Sequence, residues 1–199
     1  MDAITEQKKL AGERAVDAVV TPGSVVGLGS GSTAVWAVRR IAERLDAGDL
    51  TDVVGIPTSI RTADEAKRLG IPLTTLEETP LVDVTIDGAD EIDPRLNVIK
   101  GGGGALLREK IVASASAKLV IVADGSKLSD QLGLIFKLPV EVIPFGLGVV
   151  LPQLAALGCT PTVRVREGSE RYMTDNGNLI ADCAFAAGIA DVHATSQAL

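Results

Sequence analysis

Short apolar runs rich in β-branched residues alternate along this chain with stretches whose apolar residues recur at helical spacing, and that alternation constrains the fold more than any other feature. Leu10, Ala11, Ala15, Ala18 and Val19 mark one face of a helix over 5–20, stopped by Thr21-Pro22-Gly23. A strand is expected over 24–28, followed by a helix that Ser32 or Thr33 would cap and that runs to Leu45. The pattern repeats with a strand over 53–56 and a helix over 59–69 ended by Gly70. Further strands are expected at 81–86, 98–99 and 118–123, with a helix over 105–117 before the last. Such alternation predicts an α/β fold, a Rossmann-like, mostly parallel sheet with helices on both faces. Ligands of these sheets bind at the carboxyl ends of the strands, so the loops after the strands are where chemistry is to be sought.

Past about Asp130 the texture changes. Prolines stand at 139, 144 and 152, and Asn176-Gly177 between 172–175 and 179–183 reads as a hairpin turn. The chain is therefore expected to divide into a Rossmann-like catalytic domain over 1–130 and a smaller α+β domain over 131–199.

Composition narrows the function classes. At 199 residues and 46% hydrophobic content the chain has ample material for a core. A net charge of -7 argues against a nucleic-acid partner, which needs a basic face, but leaves small anionic ligands open. Cys159 and Cys183 lack zinc-site spacing, and His193 is the single histidine, so no metal is expected. The polar start, Met1 to Lys9, carries no secretory signal, and no apolar run reaches the length of a membrane span. These features read as a soluble, cytoplasmic protein.

Three loops carry the candidate chemistry. Gly27-Leu28-Gly29-Ser30-Gly31-Ser32-Thr33 lies between a strand and a helix; it lacks the third glycine of a dinucleotide fingerprint, and no nucleotide-hydrolysing P-loop occurs elsewhere. It offers N–H groups and hydroxyls suited to a monophosphate, or else forms a plain tight turn. The loop Asp87-Gly88-Ala89-Asp90-Glu91-Ile92-Asp93 packs four carboxylates into seven positions. Solvent is the expected home of Glu91 and Asp93, whereas Asp87 and Asp90 sit where the ligand should lie and suit sugar hydroxyls better than a metal. In Lys100-Gly101-Gly102-Gly103-Gly104 a glycine run, costly in conformational entropy, leads into a helix carrying Glu109. On a wheel of about 100° per residue, Glu109 falls between Ala105 and Ala113 with Val112 close by. Desolvation on that small apolar face would raise its pKa and make it a better base.

Taken together, GSGST (Gly29 to Thr33), DGADEID (Asp87 to Asp93), KGGGGALLREKI (Lys100 to Ile111), ADGSK (Ala123 to Lys127) and TDNGN (Thr174 to Asn178) resemble, in order and spacing, ribose-5-phosphate isomerase of the A type. The resemblance implies an aldose-ketose isomerase that interconverts ribose 5-phosphate and ribulose 5-phosphate without metal or organic cofactor. It implies Glu109 as the base, with Asp87 and Asp90 assisting ring opening and Lys100 stabilising the enediolate. It also implies substrate binding by Gly88, Ala89 and Gly101 to Gly103, with Ser30, Gly31, Ser32, Thr33 and Lys127 holding mainly the phosphate. A ferredoxin-like small domain and a homodimer follow from the same resemblance. Ser30 stands where the family often has threonine and Gly104 where it often has alanine. Family members usually continue beyond a position equivalent to Leu199, so the smaller domain is expected to be incomplete at its carboxyl end. Two rival readings are a sugar-phosphate-sensing domain without catalysis and a coenzyme A transferase-like enzyme with a glutamate nucleophile. The first lacks a basic helix-turn-helix before Ser24, and the DGAD and KGGGG loops disfavour the second.

Overall fold

The computed structural model describes residues 2–199. Element order is α1 (Ala3–Val19), β1 (Val25–Leu28), α2 (Ala34–Asp46), β2 (Val54–Pro57), α3 (Ile60–Arg68), β3 (Val84–Gly88), β4 (Glu91–Ile92), β5 (Val98–Ile99), α4 (Leu106–Ser114), β6 (Leu119–Val122), β7 (Leu138–Val142), α5 (Leu147–Ala156), β8 (Thr160–Val163), β9 (Leu179–Ala184) and α6 (Val192–Ala198).

By contacts the chain forms two units. One holds the residues up to Gly88 together with Leu107–Ser126, and the other holds Ala89–Leu106 and Lys127–Leu199. The single division expected near 130 left 89–106 with the first unit. Hydrogen bonds explain the difference, because the Glu91 carboxylate accepts from the amides of Gly133, Leu134, Ile135 and Phe136 and so ties that segment to the second unit.

In the first unit β2, β1, β3 and β6 form a fully parallel sheet in that order. Alternation along β1 sends Val26 and Leu28 into a core with Val16 of α1, Val38 and Ile41 of α2, and Ala66 of α3. The opposite face of β1 meets α4. A Cβ on Gly27 would collide with Thr85 and press on Val112, so only glycine lets that helix lie so close to the strand. Helices therefore cover both faces, which is why these strands read as continuous apolar runs rather than as alternating ones. Ser59 caps α3 by accepting from the Thr62 amide. Thr33 precedes α2 without a side-chain cap; the Val35 amide donates instead to the Gly31 carbonyl and the Trp36 amide to the Thr33 carbonyl, each at 3.1 Å.

The second unit contains a two-stranded antiparallel pair, β4 with β5, and a three-stranded antiparallel sheet ordered β7, β9, β8. The strand at 98–99 thus forms, but outside the parallel sheet. A strand over 172–175 does not form. Thr174 and Asn178 close the Asn176-Gly177 turn by a backbone bond, while β9 takes its partners from β7 and β8 far away in sequence. Val142, Leu154, Cys159, Ala181 and Cys183 make this unit's core around α5 and the sheet. Among the described residues no helix is long and apolar enough to cross a membrane.

Candidate active site

In the first unit, the loop after β1 runs straight into the end of β3. Gly29 packs so near that a Cβ would strike the Asp87 carboxylate and the Ile86 carbonyl. That approach lets Asp87, 1% exposed, accept hydrogen bonds from the Ser30 amide at 3.1 Å and the Gly88 amide at 2.8 Å. The Ser30 hydroxyl does not face outward. It lies 2.8 Å from Thr58, 2.9 Å from Ser59 and 3.2 Å from Thr62, a hydroxyl cluster that also bonds the carbonyls of Leu28 and Gly29. Ser30 accordingly shapes the loop from within, while Gly31 and the exposed Ser32 form its outer lip. Beside this lip opens a cavity of about 530 Å³ lined by Gly31, Ser32, Arg39, Arg61, Thr62 and Arg68.

A further cation stands at the loop that the sequence did not suggest. Gly12 allows α1 to lie directly on the first turn of α2, since a Cβ there would come within 2.8 Å of Trp36 and 2.9 Å of the Ala37 amide. Lys8 is one turn earlier on the same face of α1. Its ammonium donates to the Ser32 hydroxyl at 3.1 Å and lies 3.9 Å from Asp124, a carboxylate that also accepts from the Ser126 amide and hydroxyl. The tie joins residues 24 apart, and no local pattern announces it.

Glu109, in α4, is 5% exposed and shares the buried side of its helix with Val112. Its burial beside Val112 is what the wheel indicates, although the helix starts at Leu106 and leaves Ala105 outside it. Lys127 ends the 3-10 turn Gly125–Lys127 and is half-buried.

In the second unit, the glycine run forms a tight turn in which the Gly104 amide donates to the Gly101 carbonyl at 2.9 Å, with φ of 96° at Gly101 and 85° at Gly104. Both values lie where a side chain is strained. Asp90 accepts from the Gly102 amide at 2.7 Å, and no room exists at Gly102 for a Cβ between Asp90 and Phe136. Gly103 alone has open space around it. Lys100, half-buried, heads the turn.

Glu91 and Asp93 depart from expectation. Glu91 is fully buried and gathers four amides, and Asp93, 9% exposed, accepts from the amides of Arg95 and Asn97 and from the Asn97 side chain. Burial pushes the Asp93 carboxyl up, but the Asn97 side chain and the two amides outweigh it and hold the group below the usual carboxylate range. These two carboxylates are structural staples rather than solvated charges. Both cysteines are buried as well, and burial followed by the neighbouring Cys159 pushes the Cys183 thiol up to about 12, far from the range of a nucleophile.

Comparisons with known proteins bear on these loops. The model of ribose 5-phosphate isomerase A (phosphoriboisomerase A) matches residues 54–199. A ribose-5-phosphate isomerase A of Chloroflexus aurantiacus is 55% identical over 178 residues, covering 89% of this chain and 74% of its own length. Among solved structures, the ribose 5-phosphate isomerase of Plasmodium falciparum superposes with a TM-score of 0.93 at 46% identity, over 98% of this chain and 84% of that one. A D-ribose-5-phosphate isomerase in complex with phospho-erythronic acid superposes with a TM-score of 0.88 at 35% identity, over 94% of this chain and 81% of that one. With a family model covering most of its length and relatives at half identity or better, this chain belongs to the ribose 5-phosphate isomerase A family.

Proposed function

We propose that this chain interconverts D-ribose 5-phosphate and D-ribulose 5-phosphate, a step of the non-oxidative pentose phosphate pathway. The observation that carries the reading is the buried carboxylate of Glu109 on the helix that follows the glycine turn, in a chain belonging to this isomerase family. A carboxylate kept from water in that position suits proton transfer at carbon. Glu109 takes the proton from C2 of the open-chain aldose, and the electron pair forms the C1–C2 double bond as the carbonyl oxygen O1 becomes negative. The same carboxyl then returns the proton to C1, while the hydroxyl proton passes from O2 to O1.

The other residues take roles by the chemistry they offer. Lys100 and the Gly101 and Gly103 amides answer the negative charge that develops on the enediolate oxygens, the Gly102 amide being held by Asp90. Asp87 and Asp90 act on sugar hydroxyls and ring opening, with Gly88 and Ala89 beside them. Gly31, Ser32 and Thr33 hold the phosphate together with Lys8 and Lys127, and Ser30 keeps their loop in shape. Phospho-erythronic acid, the ligand of one solved relative, is itself a phosphorylated sugar acid, in keeping with a sugar phosphate as substrate. No sensing or coenzyme A transferase reading finds comparable support. Cytoplasmic location and a homodimer are part of the same proposal and rest on the family resemblance; sedimentation of the purified chain tests the second.

Incubation with ribose 5-phosphate and detection of ketose tests the activity. Glu109→Gln is expected to lower kcat by about a thousandfold or more with KM little altered, because the group acts on the proton rather than in binding. A variant that retained near wild-type kcat would remove Glu109 from the role of base.

A further inference from the structure

The glycine turn is held on its carbonyl side by a group that none of the site motifs contains. Arg164, just after β8, donates through Nη1 to the Gly102 carbonyl at 2.9 Å. Its guanidinium is itself fixed by a two-point pairing with Asp182 of β9, the Nε bond measuring 2.9 Å, and its side chain is only 16% exposed. Tyr172 stands next to it, its ring flanked by Arg164 at 5.7 Å and Arg166 at 5.3 Å, and its hydroxyl donates to the Gly103 carbonyl at 3.3 Å. The same ring fills the space where a Cβ of Gly104 would be.

Peptide geometry turns this grip into a direction. No cis peptide occurs among the described residues, so the Gly102 carbonyl and the Gly103 N–H lie on opposite edges of one plane and point opposite ways. Pinning the carbonyl to Arg164 aims the Gly103 N–H away from the guanidinium. The preceding peptide is fixed by its other edge, through the Gly102 amide and Asp90. Among the described residues the Gly103 N–H has no hydrogen-bond acceptor, whereas the Gly102 and Gly104 amides are both engaged. The Gly103 N–H is thus left for a ligand, and its orientation is set by a cation and an anion on consecutive peptides.

We infer that Arg164, locked by Asp182, is a positioning residue that aims the Gly103 N–H at the oxyanion of the enediolate. This rests on the reading that the glycine turn serves the reacting end of the sugar phosphate. A planar fork paired to a carboxylate is well suited to the task, since its remaining N–H is held at a defined angle.

The test compares Arg164→Met and Arg164→Lys with wild type in kcat, KM, thermal midpoint and the amide resonance of Gly103. Arg164→Met is expected to lower kcat per folded molecule by roughly 10- to 100-fold, less than outright loss of an oxyanion donor, with KM within about threefold. Arg164→Lys is expected to recover part of that loss, because it restores a donor and charge without the fork. In the ligand-free variants the Gly103 amide resonance is expected to shift and its hydrogen exchange to quicken. A kcat per folded molecule within twofold of wild type in Arg164→Met would overturn the inference, as would an unmoved Gly103 resonance. A loss of kcat that follows only the loss of folded protein also counts against it. Should wild type itself fail to isomerise ribose 5-phosphate, the proposed function falls, yet the Gly103 resonance still decides whether Arg164 positions that peptide.

Discussion

The loop over 29–33 and the turn over 101–104 are both built on glycine, but they are made rigid by different means. The first is braced by neutral hydroxyls, with Ser30, Thr58, Ser59 and Thr62 sharing bonds beneath it, and by the single carboxylate of Asp87. The second is braced by full charges, Asp90 on an amide and the Arg164–Asp182 pair on a carbonyl, with an aromatic ring packed against Gly104. Charge-assisted bonds are roughly twice as strong as neutral ones. A loop that meets a phosphate carrying its charge throughout the reaction needs donors more than stiffness, because attraction operates in every state. A turn that meets charge only as the barrier is crossed gains from donors already aimed, since reorientation at that moment would cost rate. On the roles proposed for these loops, the difference between the two braces follows the difference between binding and catalysis.

The strongest challenge to this comparison is Gly104→Ala. The residue sits at a φ of 85° with Tyr172 where the methyl would go, so both backbone strain and a collision oppose the change. A stability loss of about 2–4 kcal/mol and a fall in kcat are expected, read by thermal unfolding and by turnover. A harmless substitution would show that the turn in this chain yields more readily than its packing implies, and would undercut the stiffness argument.

Next in size is Lys8→Ala, aimed at the other loop. Here KM for ribose 5-phosphate is expected to rise by about tenfold with kcat nearly kept, because in its proposed role Lys8 meets a charge present in ground and transition states alike. The effect should shrink as salt is added, as for any exposed charge pair. A kcat loss at constant KM would erase the contrast between the loops.

Thr58→Val is smaller again. Its hydroxyl is fully buried and donates to the Leu28 carbonyl at 2.9 Å, so removal costs that carbonyl and Ser30 one hydrogen bond each, the Thr58 amide and the Ser59 and Thr62 hydroxyls remaining. A cost of roughly 1–2 kcal/mol in stability is expected, with a modest rise in KM and little change in kcat.

Much of this arrangement was legible in the residues. Helical and strand periodicity placed α1 to α4 and β1 to β3, because each of those elements buries a face against its sequence neighbours. Glu109 was legible for the same reason: the helix wheel alone puts it beside Val112. What the pattern hid depends on long-range hydrogen bonds. Glu91 and Asp93 look like solvated charges until the amides of 133–136 and the side chain of Asn97 are seen to surround them. Lys8 was hidden in a helix 24 residues before the serine it meets, and Arg164 in a strand end 62 residues after Gly102. The hairpin expected around Asn176-Gly177 failed because its turn chemistry was right and its first strand was not. Leu179 to Ala184 pairs instead with strands that share its core, and packing there outranks the nearest segment.

Gly103→Ala carries the smallest stability effect and the sharpest discrimination. Unlike its three neighbours, Gly103 has neither a positive φ nor any atom within 4 Å of where a Cβ would stand. Folding therefore makes no demand for glycine there, and the extra methyl should leave stability unchanged or raise it by about 0.4–1 kcal/mol through a less free unfolded chain. A ligand drawn up to the Gly103 amide would, however, meet that methyl, so kcat/KM is expected to fall by roughly tenfold even as the thermal midpoint holds or rises. Opposite movements of stability and turnover at one residue would show that this glycine is kept for what approaches the turn. Parallel movements, or none in turnover, would mean that the open side of the turn faces no reacting group, and the distinction between a binding loop and a catalytic turn would have to be given up.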